Sequence, residues 1–90
     1  MAQVRFTSNL KRFFPQLAQT KIAGATVREL VDTLDAHYPG LRGYIVDDSG
    51  RLRQHVNIFL DNEMVADRET LRDAVTDGTD VYVAQALSGG

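Results

Sequence analysis

The sequence predicts an α+β domain, a mixed four- to five-stranded sheet covered on one face by one main helix. Three observations predict it. Residues 26–34 carry a helix signature complete with its own cap, and no other stretch of comparable length does. Residues 54–60 and 81–83 alternate apolar and polar side chains with the period of a strand. A single amphipathic helix must bury its stripe against something, and in 90 residues a sheet is the only candidate large enough.

Taken in order, residues 2–7 read as a first strand, with Val4 and Phe6 on one face and Gln3, Arg5 and Thr7 on the other. Ser8-Asn9 favours a turn, and Pro15 removes a ladder donor, so residues 10–16 read as a loop. Residues 17–23 predict a second strand of weak alternation, closed by Gly24. Thr26 and Glu29 then form a capping box ahead of the helix. Val27, Leu30, Val31 and Leu34 make one apolar stripe, with Arg28, Asp32 and Asp35 off it. Pro39 disfavours helical geometry at Tyr38 and ends the element.

Residues 41–53 read as a connector with a short helical turn through Leu41, Tyr44 and Ile45, then a turn at Asp47-Asp48-Ser49-Gly50. The strongest strand follows over residues 54–60, with Val56, Ile58 and Leu60 on one face. Asp61-Asn62 is a tight turn into a short return strand at Met64-Val65. Residues 70–75 suggest one helical turn with Leu71 and Val75 inward. Asp77-Gly78-Thr79-Asp80 leads into the last strand. The first and last strands are expected side by side and parallel.

That last strand runs out through small, uncharged residues into Leu87-Ser88-Gly89-Gly90. Two glycines leave the terminal carboxylate free of side chains and the backbone free of most dihedral restriction. Six residues after Ala84 would reach at most about 20 Å fully extended, enough to enter a narrow channel. The expected division is therefore a body over residues 1–84 and a flexible tail over 85–90.

Composition excludes several functions. A net charge of −2 offers no electrostatic footprint for nucleic acid. No apolar run is long enough to cross a bilayer and no signal peptide is visible, so the expected compartment is the cytoplasm. Zero cysteines remove disulfides, thiolate metal sites and a thiol nucleophile together. His37 and His55 are the only histidines, at a spacing that matches no metal motif. Asp47-Asp48 reads as a solvated turn, and Lys11-Arg12-Phe13-Phe14 as loop and core edge. No catalytic residue and no bound metal is expected.

The pattern resembles the ubiquitin-like β-grasp sulfur carriers of the MoaD/ThiS type, over essentially the whole chain. Residues 56–63, Val-Asn-Ile-Phe-Leu-Asp-Asn-Glu, resemble that family's third strand and turn. Residues 77–81, Asp-Gly-Thr-Asp-Val, resemble its entry into the last strand, and Leu87-Ser88-Gly89-Gly90 its terminal Gly-Gly. Residues 34–53 look most like the branch that feeds cysteine and other sulfur-metabolite synthesis. Gln85-Ala86 stands where many members have proline, and the second strand matches poorly.

The resemblance implies that the Gly90 carboxylate is adenylated by a ubiquitin-activating-type enzyme and becomes a thiocarboxylate. ATP and magnesium would be used by that enzyme, and this chain would bind no cofactor. It would be carrier and substrate, since no glycine precedes Lys11 or Lys21 to build a phosphate loop. The implied acceptor is cysteine-synthase-like or a molybdopterin synthase large subunit. A conjugating modifier, and the small subunit of molybdopterin synthase, are the alternatives. If Val56, Ile58 and Leu60 face the helix, Phe59 points to the open face, and Val81 and Val83 inward put Tyr82 there as well. With Arg5, these are the expected partner-binding residues.

Overall fold

The structure, a computed structural model, describes residues 1–11, 14 and 17–85. Five strands form one sheet: β1 (Ala2–Phe6), β2 (Thr20–Ile22), β3 (Val56–Leu60), β4 (Glu63–Met64) and β5 (Asp80–Gln85). Their order is β2-β1-β5-β3-β4. β1 pairs parallel with β5, placing Val4 opposite Val81 and Arg5 opposite Tyr82. All other pairings are antiparallel. This is the mixed β-grasp sheet that the sequence predicted, with the first and last strands adjacent at its centre.

Helix α2 (Val27–His37) covers one face. Its stripe is almost wholly buried, with Val27, Leu30, Val31 and Leu34 between 0% and 3% exposed. Each such side chain contributes roughly 1.5–3 kcal/mol on leaving water. They share one core with Val4, Ile58, Val81 and Val83 of the sheet. Thr26 caps the helix, its hydroxyl accepting from the Glu29 N–H at 3.2 Å. The reciprocal bond is shifted by one residue: the Glu29 carboxylate accepts from Ala25, not from the cap itself.

Two short helices flank the sheet. α1 (Ser8–Lys11) stands where a turn was expected and buries Leu10 completely. α3 (Arg42–Ile45) is the expected helical turn of the connector. β2 is three residues long instead of seven, because only residues 20–22 find partners on β1. β3 begins at Val56, not at residue 54: the Val56 N–H bonds the Arg53 carbonyl, closing a turn through Gln54 and His55. The return strand is Glu63–Met64, one residue earlier than expected.

The helical turn expected over residues 70–75 is absent. Leu71 and Val75 do point inward, at 2% and 5% exposure, but Leu71 has φ of 57°. The reason lies in α2. The first N–H groups of a helix have no partner inside it. Here the Leu71 and Asp73 carbonyls accept from Arg28 and Val27, at 2.9 and 3.1 Å. A local helix would have used those carbonyls itself.

The loop that supplies them is held by two carboxylates, of which Asp73 accepts from the Ala66 and Asp67 N–H groups. Asp67 accepts from the Thr70 hydroxyl and from the N–H groups of Thr70, Arg72 and Glu69. These bonds, the Thr70 hydroxyl first, hold its pKa well below the ordinary 3.8.

Candidate functional site

The face of the sheet away from α2 is open. Strand alternation decides what it shows: Arg5, Tyr82 and Phe59 occupy out-facing positions on β1, β5 and β3, each next to a buried neighbour. Register then brings them together. Arg5 lies opposite Tyr82, and Tyr82 opposite Phe59. The two rings are 6.4 Å apart with a 36° tilt, within the range of attractive aromatic pairs. The Arg5 guanidinium sits 5.2 Å from the Tyr82 ring. All three residues that the sequence nominated therefore form one row across the centre of the sheet.

Arg5 is not a free cation. Its Nε and a terminal nitrogen donate to the two oxygens of Asp80, at 3.2 and 3.0 Å. Both partners are more than 40% exposed, so the pair contributes no more than about 1 kcal/mol. Its geometric effect is larger, because it fixes the guanidinium over the tyrosine.

Two members of this face escaped the sequence reading. Asp61 and Asn62 both have positive φ, 51° and 72°, which fits the primed two-residue turn that matches strand twist. That turn sets Leu60 opposite Glu63 and so Met64 opposite Phe59. Met64 is 54% exposed and extends the row by one apolar side chain. The turn was legible, and its register would have found Met64. The second is Arg68, which donates to Asn57 on β3. Nothing local in the sequence signals that bond, since 11 residues separate the two.

β5 stays in the sheet through Gln85, which pairs with Val56. Gly90, and with it Leu87, Ser88 and Gly89, lies outside the described residues, as do Arg12 and Phe13. The other nominated features are structural. The Asp47 carboxylate accepts from the N–H groups of Ser49 and Arg51 and closes its own turn. Among the described residues no group of three or more His, Asp and Glu side chains is placed to hold a metal ion. No described helix is long and apolar enough to cross a membrane.

Against known proteins, the ThiS family matches residues 4–90. The sulfur carrier protein CysO of Mycobacterium tuberculosis is 33% identical over 70 residues, 76% of this chain and 75% of that one. Small archaeal modifier protein 3 of Haloferax volcanii is 33% identical over 66 residues, 73% of this chain and 71% of its own. Among solved structures, a chain of the Amycolatopsis orientalis BexX/CysO complex matches with a TM-score of 0.85 at 22% identity, covering 100% of both chains.

Proposed function

The chain belongs to the ThiS family, and from that premise we propose that it is a sulfur carrier whose Gly90 carboxylate is the group that reacts. The family match running through residue 90 is the observation that carries this reading. A carboxylate is a poor electrophile until it is activated. A partner enzyme would join it to ATP, with magnesium, giving the acyl-adenylate and releasing pyrophosphate. A sulfur nucleophile then attacks the acyl carbon, the C–O bond to AMP breaks, and a thiocarboxylate remains.

In this reading the folded body is the handle. Five residues follow Gln85, a segment that spans at most about 18 Å. Phe59, Tyr82, Arg5 and Met64 would seat the enzyme while the tail enters its active site, Gly89 and Ser88 passing through the narrowest part. The pairing of a CysO with BexX in one solved complex supports a partner-dependent role of this kind. A cysteine-synthase-like enzyme fits the acceptor side, since the relative from Mycobacterium tuberculosis is named CysO. The 33% identical archaeal relative, named a modifier, favours a second reading in which Gly90 is joined to lysines of other proteins.

Removing Gly90, or adding a residue after it, tests the proposal. Adenylation by the cognate enzyme is expected to vanish while the thermal midpoint stays unchanged. Persistent activation of the truncated chain refutes both readings. Intact mass then separates them: replacement of one oxygen by sulfur marks a carrier, and a ladder of large conjugates marks a modifier.

A further inference from the structure

A shallow groove of about 780 Å³ lies beside the start of β3, lined by Asp47, Arg51, Arg53, His55, Arg68 and Glu69 among others. Three of the chain's ten lysines and arginines meet there. Among the described residues none of the three forms an ion pair; the carboxylate pairs are those of Met1, Arg5 and Arg42. Arg53 donates instead to the Gly43 carbonyl at 2.7 Å. Arg68 donates to the Arg53 carbonyl at 2.9 Å and to the Asn57 side chain. Neutral oxygens fix Arg53 and Arg68 in place, while Arg51 and Arg53 lie within electrostatic reach of the Asp47 carboxylate, so three cations share the groove with two carboxylates.

Position gives these cations their meaning. His55 immediately precedes Val56, which pairs with Gln85, and Asn57, which holds Arg68, pairs with Ala84. The groove thus flanks the last described residues of β5, where the chain continues toward Gly90. None of Arg5, Tyr82 and Phe59 lines it.

Resting on the carrier reading above, we propose that this groove docks an acidic patch on the adenylating enzyme and aligns that enzyme with the tail. A domain of net charge −2 exerts no long-range pull on an acidic partner, so a local cluster of fixed cations must supply it. The groove is poorly made for a free phosphate. Phosphate sites use backbone N–H groups, and those of Arg51, Leu52 and Arg53 in the lining are already bonded to Asp47, Arg68 and Ile45.

The test is ATP–pyrophosphate exchange by the source organism's adenylating enzyme, run against carrier concentration at low and high salt. Arg51 is exposed and its side chain is unbonded, so Arg51→Glu leaves the fold intact, which circular dichroism checks. Arg28→Glu, an equal charge change on α2, is the control. Arg51→Glu is expected to raise KM for the carrier about tenfold with kcat held, and to flatten the salt dependence. Arg28→Glu is expected to stay within about twofold, and Arg51→Lys to restore most of the loss. Equal effects of the two reversals overturn the groove alone, provided exchange requires Gly90. Exchange that fails with the wild-type chain, or survives loss of Gly90, overturns the carrier reading and this proposal with it. Amide shifts at residues 51–55 and 68 produced by pyrophosphate or a thymidine oligonucleotide, without enzyme, would also overturn it.

Discussion

The two faces of the sheet are built by the same strands and do opposite work. Val4, Ile58, Val81 and Val83 are between 0% and 2% exposed. Arg5, Phe59 and Tyr82, each next to one of them, face the other way and stay partly or largely accessible. Backbone pairing is common to both, so only the period of two separates them. Cohesion comes from the covered face, and the open face is released from it. Residues there can be chosen for what they touch outside the molecule.

Cutting into the covered face is expected to do the most damage. Ile58→Ala removes a side chain that is 1% exposed and should cost about 2–5 kcal/mol in urea unfolding. Its neighbour sharpens the contrast. Phe59→Glu should cost less than about 1 kcal/mol of folding stability, yet weaken activation by the partner about tenfold or more. A loss of stability comparable with that of Ile58→Ala would show that the faces do not differ as described.

Smaller effects follow from the loop that closes the covered side. Because the Asp67 pKa is depressed in the fold, its contribution is complete above the ordinary value of 3.8 and is lost as pH falls below it. Asp67→Asn should therefore be less stable than the parent at neutral pH and show a flatter decline in acid, read by unfolding at a series of pH values. The smallest effect belongs to the open face again. Arg5→Ala breaks an exposed ion pair and a ring contact, and should shift stability by under about 1 kcal/mol.

Legibility in the sequence followed the same division. The cap at Thr26, the stripe on α2 and the alternation of β3 and β5 are local signals, and each appears in the structure. So does the row of Arg5, Tyr82 and Phe59, because alternation alone assigns the face. What escaped was set by distant partners. The segment through Leu71 looked helical until α2 took its carbonyls. β2 is as short as β1 allows. Arg68 is brought to β3 by its bond to Asn57.

Parallel pairing of β1 with β5 separates the protein's entrance from its exit. Gln3 lies level with Asp80, while Gln85 is five residues further along, about 17 Å away at the rise of a strand. An affinity handle, dye or fused domain placed ahead of Ala2 therefore sits at the rear of the molecule. Cargo attached at that end would lie away from the point where β5 leaves the sheet at Gln85.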